Sequence, residues 1–289
     1  MERGREDFWE QNLILRVVCG SQAHGLATAE SDLDTRGICI PPKRYLIGLS
    51  TFEQHENETG DHTIYSLHKF VRLALQGNPN IIETLYTEGE DILFVNTWGK
   101  RLQASRDLFL SRKVGERFMG YALSQLRRIE GHYRWLSNPP PEPLPETYGA
   151  VFKAGVHRFP NTHQERAYKG ARKHYQHYVS WRRNRNPKRA DLEERYGYDT
   201  KHASHLCRLL KMGEEILRDG VVLVRRPDAE WLKGIRQGTM GYEELLAWAE
   251  ERLQSLPDLM AASSLPEEPP EEDAEALVVE LTEEFLFGC

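Results

Sequence analysis

Two carboxylates one residue apart, Asp32 and Asp34, stand ten residues beyond Gly20-Ser21 in the stretch GSQAHGLATAESDLDTRG (20–37). Acids this close repel unless a cation or a set of donors holds them. If the second half of the stretch is a strand, alternation puts positions 32 and 34 on one face and Leu33 in the sheet. Parallel carboxylates form a hard-oxygen site suited to Mg²⁺ or Mn²⁺, which also take phosphate oxygens. Gly20 would allow close backbone approach, and the Ser21 hydroxyl beside a helix N-terminus would hold a phosphate. The chemistry this spacing favours is metal-assisted phosphoryl or nucleotidyl transfer. A third carboxylate on a neighbouring strand would complete a two-metal set. Asp61 is the first candidate by position, with Glu58 and Glu56 as competitors. Arg36, at i+2 from the pair, would neutralise phosphate or brace the acids. A solvated SDLD turn is the bland alternative; Gly20-Ser21, Gly25, Ser31, Gly37 and the apolar flanks together weigh against it.

Those flanks supply the scaffold. Leu13 to Val18 is an apolar, β-branched run that reads as a buried strand, and Ser31 to Ile40 reads as a second, ended by Pro41-Pro42. A turn and short helix fit between them. His62 to Tyr65 and Asp91 to Val95 suggest further strands. Leu67 to Leu75 and the segment after Asn78-Pro79 have helical spacing, the latter capped by Asn78 or Asn80. Residues 1–110 therefore read as a mixed α/β domain. Val114 to Leu136, Gln164 to Arg183, Thr200 to Leu217 and Leu245 to Leu253 are helical in pattern, so 111–255 reads as a helical domain interrupted by the proline-rich 138–146. Residues 256–289 read as an acidic tail, Pro/Glu-rich and mobile to Asp273, with Ala276 to Phe287 able to dock as a terminal helix.

The 289 residues and net charge of −6 allow one large or two modest domains and do not suggest a bulk polyanion binder. No apolar run is long enough to span a membrane, and the charged N-terminus lacks a signal-peptide core; cytoplasm is the expected location. The four cysteines, Cys19, Cys39, Cys207 and Cys289, have no zinc-site spacing and read as reduced, packed thiols. Charge is segregated. Residues 151–189 hold eleven Lys/Arg against one acid, and residues 258–289 hold ten acids and no Lys or Arg. The basic stretch interleaves Tyr168, Tyr175, Tyr178 and Trp181, so it suits nucleic-acid contact, helix-core packing or pairing with the acidic tail about equally.

A second constellation lies in YGYDTKHASHLCRLLKMG. Tyr198, Lys201, His202 and His205 would line a nucleotide pocket, or would simply be the polar face of a capped helix. Lys69, Asn78 and Asn80 are similar: each is equally an ordinary surface or turn residue.

The spacing of Gly20-Ser21 to Asp32-x-Asp34 resembles the signature of the DNA polymerase β-type nucleotidyltransferase superfamily. Within it, the chain resembles the RNA-ligase-associated (RlaP-type) nucleotidyltransferases through GSQAHGLATAESDLDTRGICIPP, DHTIYSLHKFVRLALQGNPNIIETLY, and RYGYDTKHASHLCRLLKMGEEIL followed by RRPD. The resemblance implies a polymerase-β-like sheet, metal ligation by Asp32, Asp34 and Asp61, and triphosphate binding by Gly20 and Ser21. It favours Lys69, Lys201 and His202 for substrate roles. It implies an NTP substrate and an RNA acceptor in RNA repair. Transfer to a protein or a small molecule, as in toxin–antitoxin and antibiotic-modifying members, and a non-catalytic nucleotide or RNA sensor are the competing readings.

Overall fold

A computed structural model describes residues 7–29 and 31–288; Cys289 lies outside them. The chain begins with α1 (Phe8–Gln11), β1 (Leu13–Cys19) and the single turn α2 (Gly20–Ala23). Next come β2 (Asp34–Cys39), α3 (Lys43–Leu46), β3 (Gln54–Glu56), β4 (His62–Ser66), α4 (Leu67–Leu75), α5 (Pro79–Tyr86), β5 (Ile92–Val95) and α6 (Thr97–Ala104). The remainder is α7 (Arg112–Ser137), β6 (Val151–Lys153), β7 (Val156–Arg158), α8 (Thr162–Arg183), α9 (Pro187–Tyr196), α10 (Thr200–Asp219), α11 (Ala229–Arg236), α12 (Tyr242–Gln254), α13 (Leu256–Ala262) and α14 (Glu271–Phe287). The architecture is thus mixed α/β followed by a helical region.

Five strands form one sheet in the order β3-β4-β2-β1-β5. Only β2 and β4 run parallel; β1 is antiparallel to both its neighbours. Leu15, Val17 and Ile38 point to one face and join a core with Phe70, Ile82, Phe118, Leu206 and Leu281. That core runs continuously from the sheet into the helical region. The opposite face buries Leu13, Cys39 and Ile64 under Trp9 and Phe52. Cys19, Cys39 and Cys207 are buried free thiols, with burial raising them to about 11, 12 and 12.

Local chemistry sets the helix ends. Ser66 accepts from the Lys69 amide, Asn78 from the Asn80 amide ahead of Pro79, and Asp199 from the His202 amide. Each cap contributes about 1 kcal/mol. Of the alternatives Asn78/Asn80 and Asp199/Thr200, the earlier residue is the cap in both cases.

Three expectations are corrected. First, β2 starts at Asp34 rather than Ser31, because its last partner on β1 is Cys19. Asp32 and Leu33 precede the ladder, and Leu33 is 45% exposed instead of facing the sheet. Second, the helical region contains a hairpin, β6-β7, turned by Ala154 and Gly155 at positive φ. The run VFKAGVHR is too short and too basic to stand out as two strands. Third, residues 256–273 are held rather than mobile. Leu256–Ala262 is helical, the Arg112 amide donates to the Pro266 carbonyl at 2.8 Å, and Lys113 pairs with Glu268. Beyond them α14 docks on α4 and α6, burying Ala274, Leu277, Val278 and Leu281, with Arg101 gripping Glu280 and Glu284. Among the described residues the acidic tail pairs with Arg101 and Lys113.

Gly99 on α6 rests directly on β1: a Cβ there would lie 2.1 Å from the Ile14 carbonyl oxygen. Backbone cannot yield as a side-chain tip can. Gly99→Ala is expected to destabilise by about 1–3 kcal/mol, outweighing the roughly 1 kcal/mol helix-propensity gain. A urea melt would read it as a lower midpoint at unchanged slope.

Candidate active site

Three pieces of chain meet at one end of the sheet. β1 ends at Cys19, opposite Asp34, and the chain turns sharply through Gly20 at φ +66°. On the other side of β2, the Thr35 amide donates to the Asp61 carbonyl at 2.8 Å, which sets Asp61 beside Asp34 at the start of β4. The Gly20 position admits no side chain: a Cβ would sit 2.4 Å from Asp34 Oδ2. Glycine is required here both by backbone angle and by the carboxylate packed against it.

Asp34 is half-buried, and its carboxyl is raised first by desolvation and then by the charge of Asp61. Arg36 partly offsets this, Asp32 adds repulsion, and Lys201 offsets again. Asp61 thus acts on Asp34 more strongly than Asp32 does, although Asp32 is nearer in sequence. Arg36 shares the Asp34 face of β2, and its Nη1 is buried without a hydrogen-bond partner. Among the described residues no three His, Cys, Asp or Glu side chains converge into a ready metal shell. Mg²⁺ does not need one: it commonly uses one or two carboxylates, with substrate phosphates and water completing the octahedron. Asp34 pressed on Gly20, with Asp32 and Asp61 near, is a donor set that fits such an ion.

A pocket of about 260 Å³ opens beside Asp34, Gly20 and Ser21. Its other walls are His24, Leu26, Asn80 and Glu83, with Arg189 from α9, Lys201, His202, Ser204, His205 and Arg208 from α10, and Arg236 from α11. The walls are rich in cations. Burial, then Arg189 and Arg236, lowers the Lys201 ammonium, with Asp199 and Asp34 opposing. Burial and then Arg189 lower Arg236. Among the described residues neither Lys201 nor Arg236 has a carboxylate partner; Arg236 donates to the Leu26 carbonyl at 2.8 Å. Lys201 and Arg236 thus place positive charge in the pocket lining beside Arg189.

Arg189 is anchored. Its Nη1 donates to Asp199 Oδ2 at 2.7 Å and to His202 Nδ1 at 2.9 Å. Burial leads the factors lowering His202, to about 4, so a neutral ring accepts that bond. Burial opposes the Asp199 charge, yet His202 and Arg189 hold its carboxyl below the ordinary range. In the pocket wall, Glu83 is buried, at 3% exposure. His24 Nε2 lies 3.0 Å from Glu83 Oε2, and Arg208 pairs with Glu83 Oε1. Desolvation again opposes charge, while Arg208 and His24 hold the Glu83 carboxyl well below its ordinary value. The three groups bind together α2's flank, α5 and α10.

Of the residues singled out from sequence, Gly20, Ser21, Asp34, Asn80, Lys201, His202 and His205 line this pocket, and Asp32, Asp61 and Arg36 lie around Asp34. Others do not reach it. Tyr198 is a core residue, 2% exposed, its hydroxyl donating to the Met240 carbonyl at 2.6 Å; burial pushes it up to about 12. Lys69 turns to the sheet edge and donates to Gln54 Oε1 at 2.8 Å. Gly25, at φ +73°, turns the chain, its amide donating to the Gln22 carbonyl at 3.0 Å. Ser31 closes a local turn, its Oγ accepting from the Thr28 amide at 2.9 Å. Sequence reasoning passed over His24, Glu83, Arg189, Arg208 and Arg236. A signal existed for two of them: Glu83 and Arg208 each interrupt an apolar helix face, and their opposite charges suggest a pair.

Arg208→Met strands the Glu83 charge and is expected to cost about 3–5 kcal/mol in a urea melt, whereas adding Glu83→Gln should restore much of the loss. Acid should weaken the fold earlier than carboxylate titration does. His24 and His202 are buried neutral, with native values below the usual 6.5, about 4 for His202. Unfolding therefore takes up protons below about pH 6.5. Stability is full above that pH and falls toward pH 4, by up to about 1.4 kcal/mol per pH unit for each ring. Urea midpoints at pH 7 and pH 5 measure the difference.

Residues 4–135 match the model of a family described as RlaP, the RNA repair pathway DNA polymerase beta family. A protein of Enterobacteria phage T4, named as an uncharacterized 38.9 kDa protein in the nrdC-mobD intergenic region, is 29% identical over 39% of this chain. The chain spans only 37% of that relative's length. No solved structure matches. The family match covers the sheet, the Gly20–Asp34 contact and Glu83, while Lys201, Arg208 and Arg236 lie beyond it. Residues 4–135 are thus similar to the RlaP, RNA repair DNA polymerase beta family.

Proposed function

We propose that the chain is a nucleotidyltransferase that passes a nucleoside monophosphate from an NTP to an RNA end. The observation that carries the reading is the Asp34 carboxylate packed on Gly20 in a pocket also lined by Lys201 and Arg236, neither of which has a carboxylate partner among the described residues. Acids and cations lining one small pocket match a polyphosphate that must be gripped at its leaving end and attacked at its α-phosphorus. The RNA acceptor rests on the matched family's description.

The chain's own groups have separable tasks. Lys201 and Arg236, with Arg189 behind them, would hold the β- and γ-phosphates, and the negative charge of departing pyrophosphate would settle among these cations. Ser21 and the adjoining backbone would fix the phosphate chain against the sheet end. Asp34, with Asp32 or Asp61 beside it, would hold Mg²⁺ or Mn²⁺ together with phosphate oxygens and water. When bound, the ion supplies charge neutralisation on the phosphates and acidifies the attacking hydroxyl. His202, neutral and bonded to Arg189, positions that guanidinium rather than moving a proton.

The test is a transfer assay with α-labelled ATP, CTP, GTP or UTP, Mg²⁺ or Mn²⁺, and total RNA. Label is expected on RNA, and Asp34→Asn with Asp61→Asn should lower the rate by about 10³-fold or more, since several kcal/mol of charge stabilisation is removed. Label that persists at the parental rate in that variant would overturn the site; label on the protein instead would move the acceptor.

A further inference from the structure

We propose that a groove along α8, outside the region of family similarity, binds single-stranded nucleic acid and leads it to the pocket described above. The assignment rests on the nucleotidyl-transfer reading for its role, though not for its geometry. The groove is about 740 Å³, much larger than the 260 Å³ pocket, and lies between the proline-rich segment 142–145, His157 of β7 and one stripe of α8. That stripe is Tyr168, Arg172, Tyr175, Val179 and Arg183, at the i, i+4, i+7, i+11, i+15 spacing of a single helix face.

The aromatic residues of α8 divide between two jobs. Tyr178 and Trp181 turn inward, their rings 6.1 and 5.2 Å from that of Trp135 on α7. Tyr168 and Tyr175 are half-buried and line the groove. Tyr168 is braced by Tyr148 at 5.7 Å and Phe159 at 5.2 Å, and Tyr175 by Tyr178 at 6.1 Å. Braced rings open on one side suit stacking by unpaired bases, which a duplex would not present. Arg172 and Arg183 are exposed and have no carboxylate partner among the described residues. One acid, Glu142, lines the groove. Val179, 42% exposed, leaves an apolar floor between the arginines. The groove ends at Arg183 and Asn184, and Arg189 of the small pocket follows within six residues, at most about 20 Å of chain.

The direct test is fluorescence anisotropy of the full chain without NTP, using a fluorescein-labelled uridine dodecamer, the thymidine DNA dodecamer and a duplex of equal length. Tighter binding of single strands than of duplex is expected. Arg172→Glu with Arg183→Glu should weaken binding at least tenfold and flatten the salt slope by roughly 1.4, about 0.7 per lost phosphate contact. Tyr175→Ala should weaken it by roughly 5- to 150-fold, with Tyr175→Phe restoring it, because stacking needs the ring and not the hydroxyl. RNA favoured over DNA would identify the natural strand as RNA; equal affinity would place recognition in the shared phosphates and bases. Unchanged affinity in the arginine variant, preference for duplex, or displacement by polyglutamate as readily as by unlabelled oligouridine would overturn the proposal. Asp34→Asn with Asp61→Asn should bind the dodecamer as the parent does. Failure of transfer and failure of the groove are therefore read separately.

Discussion

One buried ion pair underlies the pocket. Glu83 is only 3% exposed and stays charged because Arg208 faces it and the His24 ring is hydrogen-bonded to it. Desolvating a carboxylate costs several kcal/mol, which a close counter-charge can offset only at good geometry. That requirement fixes α5 against α10 and holds the loop after Gly20 against both. The acids belong to the sheet, and Lys201 belongs to α10. Without the pair, the halves of the pocket would lose their common reference. A hydrophobic trio could fill the same space, but it would not dictate the relative register of three separate elements so narrowly.

Above that pair, like charges are kept together on both sides of the pocket. Asp34 is raised by burial, Asp61 and Asp32, while Lys201 and Arg236 are lowered by burial and neighbouring guanidinium. Each group would be more comfortable with an opposite charge beside it. Asp34 and Lys201 do act on each other across the pocket, but they form no ion pair among the described residues. Perturbed groups clustered in a cleft are a common property of sites that bind charged ligands.

The sheet and most long helices were legible because their signals are local: apolar runs bounded by Gly and Pro, and caps such as Ser66 and Asn78. The Gly20, Asp34, Asp61 arrangement was legible as spacing, although the start of β2 was misplaced, since ladder length depends on where β1 stops. What stayed hidden depends on contacts between distant segments. Tyr198 looks like a pocket aromatic in sequence, yet packing turns its hydroxyl to Met240. Arg236 lies in no motif and reaches the pocket only because α11 packs beside α10. Residues 256–273 looked mobile by composition, yet the Pro266 carbonyl and Glu268 are held by Arg112 and Lys113; the docking of the helix after them was readable from its apolar residues.

The seating of that last helix has a mechanical side. The helical region leaves the sheet layer through α7 and comes back to it through α14, which lies on α4 and α6. A body tied at one end can swing open like a jaw; one tied at both ends cannot without detaching a strap. Ligand traffic is therefore expected to proceed by rearrangement of side chains and loops at the rim rather than by rotation of one half away from the other.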